Sequence, residues 1–344
     1  MNNIYDWTLS QLQTIMENRG YKKYNGEQIL RWLYQNRVQS FDEMTNLSKS
    51  LKEDLKSNFS MRLPTVIQKQ KSTDGTIKFL LELEDHHRIE TVIMKYTYGN
   101  AVCVSSQVGC NMGCSFCASG LLKKVRDLKS YEMVGQVLIA QQELDQVNER
   151  VSHVVIMGIG EPFDNYENVM NFIYIINEAK GLAIGARHIS VSTSGIIPKI
   201  KALSEEKLQI NLAISLHAPN DTIRNQIMKI NHKYPMKELK EALIEYEQKT
   251  NRRVTFEYLL LDGINDSKEN ALELASYLKG TCCYVNLIPY NQVHENVYQR
   301  SKEKNINIFY NVLKNEKINV TIRREFGSLI DAACGQLRSK HEEE

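Results

Sequence analysis

The chain has 344 residues, of which 42% are hydrophobic and 24% are charged, a composition typical of a globular protein with one large and one smaller domain. Its 43 Lys and Arg residues nearly cancel its 41 Asp and Glu residues, so a polyanionic partner has to bind a local basic patch. No run approaches the roughly 20 apolar residues that span a bilayer, and the N-terminal residues lack the features of a secretory signal. Seven cysteines, an odd number, argue against a disulfide framework, so we expect a cytoplasmic protein.

The first part of the chain is predicted to be helical and then to form a small sheet. Apolar residues at helical spacing around Leu12, Leu30 and Leu51 predict three helices. Residues 65–71 and 76–83, on either side of a turn at residues 73–75, predict a hairpin, and residues 88–96 predict a third strand. We expect residues 1–95 to form a small α+β accessory domain that presents a surface to a partner.

From residue 101 onward, strand and helix patterns alternate along the chain. The predicted strands are 101–106, 152–158, 188–194, 210–217, 253–261 and 284–290, and the helices between them include 131–144, 169–179, 236–248 and 268–278. Six βα units imply a parallel sheet with right-handed crossovers, either open or curled into a partial barrel. We assign residues 96–328 to this α/β core and residues 329–344 to a C-terminal loop with a charged tail.

Three cysteines, Cys110, Cys114 and Cys117, lie in one short loop with the spacing C-x3-C-x2-C, directly after the first strand of the core. Three thiolates leave a four-iron cluster one ligand short, so that one iron is open to a small molecule. The alternative is a structural zinc site, which is usually closed by four ligands, commonly in two pairs. The sequence has no second C-x2-C, and the adjacent cysteines Cys282 and Cys283 have a poor geometry for closing such a site. The loop therefore favours one [4Fe-4S] cluster.

Each predicted strand of the core runs into an unusual polar or glycine-containing segment. In parallel α/β folds, chemistry lies at the carboxyl ends of the strands, so we expect all six segments to face one cavity. Singly, the serine, histidine and asparagine residues of these segments are more often turn, cap or core residues. After the cysteine loop, the segments are Gly158-Ile-Gly160-Glu161-Pro162, Ser192-Thr-Ser-Gly195, Ser215-Leu216-His217, Asp262-Gly-Ile-Asn-Asp266 and Pro289-Tyr-Asn291.

Positive charge is expected on both sides of this cavity. Lys123, Lys124 and Arg126 follow the cysteine loop, and Arg323-Arg324 precedes a cysteine-containing segment near the C-terminus. Such runs are usually solvated surface, yet contacts to phosphate groups are built from the same residues.

Together, these motifs resemble the RlmN/Cfr family of radical S-adenosylmethionine (SAM) RNA methyltransferases. The resemblance implies a partial (β/α)6 radical SAM barrel with an N-terminal accessory domain that contacts RNA. It also implies one [4Fe-4S] cluster held by Cys110, Cys114 and Cys117. SAM would then be bound by Gly160, Glu161, Ser192, Ser215, Leu216, His217 and Asn291, with Glu161 on the methionine amino group. The segments that carry the resemblance are Cys103-Val-Ser-Ser-Gln-Val-Gly-Cys110, the cysteine loop, Gly-Ile-Gly-Glu-Pro, Ser-Thr-Ser-Gly, Ser-Leu-His-Ala-Pro and Asp331-Ala-Ala-Cys334-Gly-Gln-Leu.

The resemblance further implies roles for two cysteines outside the loop and for one glutamate. Cys334 would take a methyl group from one SAM, and a second SAM at the cluster would yield a deoxyadenosyl radical that removes hydrogen from this S-methyl group. The methylene radical would add to an adenine ring and link RNA to protein. Cys103 would resolve this adduct by forming a disulfide with Cys334 after Glu90 accepts the ring proton. The alternative for Glu90 is an exposed strand glutamate.

Within the family, RlmN-type enzymes methylate adenine C2 in 23S rRNA at the peptidyl-transferase centre and in tRNA beside the anticodon. Cfr-type enzymes methylate C8 of the same ribosomal adenosine and confer antibiotic resistance. The segments Gly-Ile-Gly-Glu-Pro-Phe-Asp-Asn, Gly-Ala-Arg-His and Ile-Arg-Arg-Glu are more similar to RlmN. We therefore expect a monomer that acts on 23S rRNA and tRNA, consumes two SAM per methylation and receives electrons from a protein such as flavodoxin or ferredoxin.

Two other hypotheses account for part of the sequence. Another radical SAM chemistry, such as protein activation or sulfur insertion, is one, although sulfur insertion ordinarily needs a second cluster. The other is a non-enzymatic metal-dependent redox sensor that binds nucleic acid. It explains the cysteine loop and the basic runs but leaves the Glu161-Pro162 motif unexplained.

Overall fold

The computed structural model describes residues 1–293, 296–323, 327 and 330. Within them, no helix has the length and apolar content needed to cross a bilayer. The α-helices are α1 (Leu9–Asn18), α2 (Lys23–Arg31), α3 (Lys49–Asn58), α4 (Ser130–Asp145), α5 (Tyr166–Asn177), α6 (Ile197–Ser204), α7 (Asp221–Ile227), α8 (Met236–Thr250), α9 (Lys268–Leu278) and α10 (Glu303–Asn315). The strands are β1 (Asn2–Asn3), β2 (Phe59–Ser60), β3 (Thr65–Lys71), β4 (Ile77–Glu82), β5 (Arg88–Tyr96), β6 (Gly99–Cys103), β7 (Gln107–Val108), β8 (Arg126–Asp127), β9 (Val151–Ile156), β10 (Ile189–Thr193), β11 (Asn211–Ser215), β12 (Val254–Leu260), β13 (Cys283–Pro289) and β14 (Asn319–Ile322).

One sheet of ten described strands has the order β14-β13-β12-β11-β10-β9-β6-β5-β4-β3. Within this sheet, β6, β9, β10, β11, β12, β13 and β14 pair in parallel, and β3, β4, β5 and β6 pair antiparallel. The predicted hairpin and third strand are present, and they extend the sheet of the core because β5 pairs with β6. The six predicted parallel strands are also present. A seventh, β14, was missed because its four residues are too few to show a period.

The parallel part of the sheet is curled, because side chains from six consecutive strands face one space. Alternate residues of the same strands, such as Val191 and Ile214, point the other way and are fully buried in the main hydrophobic core. Leu243 of α8 and Leu274 of α9 belong to that core, so the connecting helices cover the outer face. Each strand from β9 to β14 contributes at least one residue to the lining of the inner space, and these residues include Val155, Ser190, Ala213, Glu257, Asn286 and Thr321.

The N-terminal helices share this main core with the barrel. Met16 of α1 and Leu30 of α2 are fully buried in the same cluster as Leu138 of α4. The main-chain N–H of Tyr131 donates to Asp6 Oδ1 at 2.8 Å, which joins the first residues of the chain to the start of α4. The N-terminal helices are therefore packed on the outside of the barrel.

Local capping signals explain where several helices begin. The hydroxyl of Thr8 accepts from the N–H of Gln11, and the Gln11 side chain accepts from the N–H of Thr8, which forms a capping box at α1. Ser267 and Asn270 form the same arrangement at α9, whose bounds agree with the predicted helix 268–278. Such caps satisfy main-chain donors that the first helical turn leaves without partners.

Candidate functional site

A cavity of about 160 Å³ opens at the carboxyl ends of the parallel strands. All the predicted strand-end segments contribute to its wall except residues 262–266, so the prediction that all six face one cavity is wrong for that segment. The predicted site residues that line the cavity are Cys110, Cys114, Cys117, Gly160, Glu161, Ser192, Ser215 and His217. Long-range topology has thus brought together residues that are more than a hundred positions apart in the chain.

The three cysteines of the loop are held by main-chain hydrogen bonds on one wall of the cavity. The N–H of Cys110 donates to the carbonyl of Leu122 at 3.0 Å, and the N–H of Cys117 donates to the carbonyl of Cys114 at 3.2 Å. Burial raises the pKa of Cys110 to about 12 and holds the pKa of Cys114 well above its usual value. These raised pKa values favour the neutral thiols. A bound metal centre would reverse this preference, because metal binding stabilises the thiolate form.

Three sulfur donors on one cavity wall fit an iron–sulfur cluster, in which each thiolate binds a different iron. Among the described residues, no three His, Cys, Asp or Glu side chains converge at the spacing of a site for a single metal ion. The other described cysteine pair, Cys282 and Cys283, lies at the opposite end of β13 from the cavity.

Glu161 places a buried carboxylate on the facing wall, where it is 3% exposed. Its Oε2 accepts from the N–H of Ser194 at 2.7 Å, and its Oε1 accepts from the N–H of Phe163 at 3.0 Å. Burial raises the pKa of Glu161, and the hydrogen bond from the Ser194 main chain opposes this effect. A carboxylate that is buried and oriented by main-chain donors is suited to bind an ammonium group, which would offset its desolvation.

Two glycines explain how the segment before Glu161 reaches its position. A β-carbon at Gly158 would lie 2.8 Å from the main-chain nitrogen of Ser105, and one at Gly160 would lie 2.6 Å from Cβ of Gln107. Gly160 also has a φ of +108°, which other residues rarely adopt. These glycines let the turn after β9 pack directly against the chain that leads into the cysteine loop.

Ser192, Ser215 and His217 form the adjoining wall. The two serine hydroxyl oxygens lie 3.2 Å apart on neighbouring strands. His217 Nδ1 accepts from the N–H of Leu259 at 3.1 Å, and its ring meets Phe116 edge-on with centroids 5.0 Å apart. Burial lowers the pKa of His217 to about 3, so its ring is neutral at physiological pH. His217 is therefore both a satisfied core histidine and a cavity-lining residue.

Leu216 and Asn291, which were also predicted to bind SAM, are buried but are not among the residues that line this cavity. The segment at residues 262–266 supports the wall from behind through Asn265, which is fully buried. Its Nδ2 donates to the carbonyl of His217 at 2.8 Å, and its Oδ1 accepts from the N–H of Leu261 at 2.7 Å. This segment thus has a structural function at the ends of β11 and β12.

Arg224 is a fully buried residue that the sequence analysis missed. Its Nη2 donates to the carbonyl of Ser194 at 2.6 Å and to that of Ser215 at 3.3 Å, and its Nε donates to the carbonyl of Leu216 at 3.2 Å. Its Nη1 donates to Asn231 Oδ1 at 2.8 Å. Burial lowers the pKa of Arg224, and these hydrogen bonds offset the cost of burying its charge. Because most of its partners are main-chain oxygens, no sequence pattern identifies it.

Glu257 of β12 was also missed, although it is 4% exposed and lines both the cavity and the barrel interior below it. Its Oε1 accepts from the side-chain amide of Asn286 at 3.0 Å, and its Oε2 lies 3.6 Å from the guanidinium of Arg323. A carboxylate and a guanidinium therefore stand together at the floor of the cavity.

Glu90 and Cys103 lie on the antiparallel part of the sheet and do not line the cavity. Cys103 is the register partner of Val92, and Glu90 is two residues from Val92, so all three side chains share one face. Glu90 is 4% exposed, so its interpretation as an exposed strand glutamate is wrong.

Two described residues near the C-terminus, Gly327 and Ile330, contact the antiparallel part of the chain. Ile330 packs against the hydrophobic cluster that contains Cys103, and the N–H of Gly327 donates to Asp74 Oδ2 at 2.9 Å. The predicted roles of Cys334 and Arg324, as well as the charged tail, concern residues outside the described part of the chain.

Two of the basic residues that were expected beside the cavity are engaged in internal ion pairs. Lys124 Nζ lies 2.7 Å from Asp164, and Arg126 bonds Asp85 at 2.6 Å and Glu132 at 2.8 Å. The hydrogen bond from Arg126 lowers the pKa of Asp85 to about 2. Their charges therefore stabilise the fold around the cysteine loop.

Two family models match the chain. The model of the Radical SAM superfamily matches residues 104–275, and the model of the ribosomal RNA large subunit methyltransferase N-terminal domain matches residues 2–61. The first match contains the cysteine loop and the ends of β9, β10, β11 and β12 that line the cavity, and the second contains α1, α2 and α3.

Curated relatives are similar over nearly their whole length. A protein from Spiroplasma citri named probable dual-specificity RNA methyltransferase RlmN is 54% identical over 342 residues, which cover 99% of each chain. A protein of the same name from Enterococcus faecalis is 55% identical over 343 residues, which cover 98% of this chain and 96% of that one. The crystal structure of a radical SAM methyltransferase from Sphaerobacter thermophilus has a TM-score of 0.95 at 43% identity and covers 99% of this chain and 100% of that one. These similarities confirm the predicted fold class, a partial barrel with a small N-terminal α+β part.

Proposed function

We propose that this chain, which belongs to the RlmN family of radical SAM RNA methyltransferases, methylates C2 of a specific adenosine in 23S rRNA and C2 of the adenosine next to the tRNA anticodon. The ribosomal target would lie at the peptidyl-transferase centre. The observation that carries the proposal is the cavity in which three cysteines face the buried carboxylate of Glu161 at the ends of the strands. The relatives are named probable dual-specificity RNA methyltransferases, and this name supports the proposal of two RNA substrates.

Cys110, Cys114 and Cys117 would hold one [4Fe-4S] cluster, and Glu161 would bind the amino group of SAM. Ser192 and Ser215 would donate or accept hydrogen bonds beside it, because their hydroxyl groups line the same cavity. The bound cluster would supply an electron for the cleavage of SAM, and a protein such as flavodoxin or ferredoxin would reduce it. The apolar lining of the cavity, which includes Phe116 and Leu259, would exclude water from this chemistry.

We assign the methyl-carrying role to Cys334 and the resolving role to Cys103. In this scheme one SAM methylates Cys334, a second SAM activates that S-methyl group, and the covalent adduct with RNA is resolved when Cys103 forms a disulfide with Cys334. Glu90 would accept the proton from the adenine ring. Ile330 packs against the hydrophobic cluster of side chains that contains Cys103, and this contact supports the scheme. Cys334 follows Ile330 by four residues, and four residues of extended chain span about 14 Å at most.

We further propose that residues 1–95 contact the RNA and that the core carries the chemistry. Lys22 and Lys23 are exposed at the start of α2 and have the charge that phosphate groups require. The double variant Lys22→Gln with Lys23→Gln is expected to raise the KM for RNA and to leave SAM affinity unchanged. An unchanged KM for both RNA substrates would argue against this surface.

The decisive experiment is nucleoside mass spectrometry of 23S rRNA and tRNA from a strain that lacks its own methylase and expresses this chain. We expect 2-methyladenosine in both pools. Detection of 8-methyladenosine in 23S rRNA would show that the chain catalyses the Cfr-type reaction instead. Neither product, from protein with intact iron content and SAM binding, would overturn the proposed substrates.

The cysteine relay is tested with the variant Cys334→Ala. This variant is expected to retain iron and SAM binding but to form no covalent adduct and no methylated RNA. Cys282→Ala is the matched control, because Cys282 is exposed and distant from the cavity, and this variant should methylate normally. Normal methylation by Cys334→Ala would contradict the relay.

A further inference from the structure

Lys78 and Glu90 form a buried ion pair on the antiparallel part of the sheet. Lys78 Nζ lies 3.2 Å from Glu90 Oε1, and the two side chains are only 10% and 6% exposed. The register of the sheet explains the contact, because Lys78 pairs with Val92 and Val92 pairs with Cys103 across β4, β5 and β6. These three side chains therefore stand in one row on one face, and Glu90 is the diagonal neighbour of both Lys78 and Cys103 on that face.

The proposed role of Glu90 as proton acceptor requires a carboxylate that is ionised before the reaction. Burial alone works against this requirement, because desolvation disfavours the charged form of a carboxyl group. A cation at hydrogen-bonding distance favours the carboxylate and also orients it. Lys78, on the neighbouring strand, places such a cation 3.2 Å from Oε1 of Glu90.

Ile330, which precedes Cys334 by four residues, lies on the same face. Ile330 packs against the cluster formed by Val92, Met94 and Cys103, and the N–H of Gly327 bonds Asp74 in the turn just before β4. The ion pair, Cys103 and Ile330 therefore lie on one side of the sheet. This placement is needed if Glu90 is to act on an adduct carried by Cys334.

We propose that Lys78 is a positioning residue, which keeps Glu90 ionised and oriented so that Glu90 accepts the ring proton of the RNA adduct. The inference rests on the proposed function, in which Glu90 is the base. In the step concerned, the C–H bond of the adduct breaks, its proton moves to a carboxylate oxygen of Glu90, and its electron pair stays in the ring. The unpaired electron left by the radical addition would pass to a one-electron acceptor, the oxidised form of the proposed iron–sulfur cluster. Lys78 transfers no atom in this step.

The test compares variants of the iron-loaded enzyme with unmethylated tRNA, SAM and a chemical reductant. Covalent protein–RNA adduct is measured on denaturing gels, and 2-methyladenosine is measured by mass spectrometry. Glu90→Gln is expected to accumulate adduct, because proton removal fails after the adduct has formed. Lys78→Met is expected to accumulate adduct as well and to form product at least ten-fold more slowly. Lys78→Arg, which retains the cation, should restore most of the product.

The double variant Lys78→Met with Glu90→Gln should be no slower than Glu90→Gln alone, because residues that act through one function are not additive. Lys95→Met is the matched control, since Lys95 pairs with Glu149 on the same sheet but at the surface, and this variant should behave as wild type. Iron content and SAM binding are measured for each variant to detect misfolding. Where Lys78→Met does not fold, Lys78→Gln takes its place, because it keeps a donor and removes the charge.

The outcomes separate the inference from the function on which it depends. If Glu90→Gln accumulates adduct but Lys78→Met loses adduct and product in equal proportion, Lys78 has a purely structural role and the inference fails. The inference also fails if the double variant is much slower than Glu90→Gln alone. If Glu90→Gln itself accumulates no adduct, the assignment of Glu90 as base fails instead.

Discussion

Replacement of Arg224 with methionine is expected to weaken the wall of the cavity and to destabilise the whole chain. The guanidinium is fully buried and donates to the carbonyls of Ser194, Ser215 and Leu216 and to the side chain of Asn231. Methionine has a flexible side chain that can fill much of the same space, but it has no donor. The variant Arg224→Met therefore leaves these buried oxygens without their hydrogen bonds.

The magnitude follows from the geometry of these contacts. The bonds to Ser194 at 2.6 Å and to Asn231 at 2.8 Å are short, and a hydrogen bond from a charged group stabilises by about 1.5–3 kcal/mol. The longer bonds to Leu216 and Ser215 add less, and removal of the guanidinium returns part of its desolvation cost. We expect a net loss of about 3–5 kcal/mol in the free energy of unfolding. For a melting entropy of about 2.1 cal/mol/K per residue, a loss of about 4 kcal/mol lowers Tm by about 6 °C.

The assay is urea unfolding followed by circular dichroism, together with equilibrium dialysis of SAM. Because the N–H of Ser194 also bonds Glu161 at 2.7 Å, a displaced Ser194 should weaken SAM binding by roughly ten-fold or more. Arg62→Met is the matched control, since its ion pair with Glu84 is exposed and should cost less than about 0.5 kcal/mol. Equally small losses in both variants would refute the conclusion that Arg224 holds the strand ends together.

Three further predictions test the cavity. Glu161→Gln should raise the Kd for SAM by about 10–100-fold at unchanged iron content, because a charge-assisted contact is lost, and an unchanged Kd would contradict the assignment. Gly160→Ala should lose about 2–4 kcal/mol in urea unfolding, because its Cβ would lie 2.6 Å from that of Gln107. Gly280→Ala, with a similar positive φ but open space around it, should lose only the part of the unfolding free energy that comes from placing a β-carbon at positive φ. Equal losses in the two variants would show that the close contact with Gln107 does not matter. Burial depresses the pKa of His217 to about 3, so its contribution to stability is present above the unfolded pKa of about 6.5 and is lost as the pH falls toward 3. Between pH 7.5 and 5 the urea midpoint should thus fall less in His217→Asn than in wild type, and equal falls would contradict this account.

The order and type of the core elements could be predicted from the sequence, because hydrophobic periodicity is a property of neighbouring residues. The strand at residues 88–96 and the helix at residues 268–278 agree with β5 and α9. The positions of Cys110, Cys114, Cys117 and Glu161 in one cavity could also be predicted. Their segments follow parallel strands, and the carboxyl ends of such strands meet at one edge.

The partners of buried charges could not be read from the chain, because they depend on which strands become neighbours and in which register. Lys78 meets Glu90 only because β4 pairs with β5 in the observed register, and a shift of one residue would turn Lys78 to the opposite face. Arg224 holds the cavity through main-chain oxygens, which every residue carries and no motif marks. Sequence motifs therefore identify the residues that form the candidate site of this protein. Strand register and burial determine which side chains become their partners, and so how the charged groups are paired and oriented.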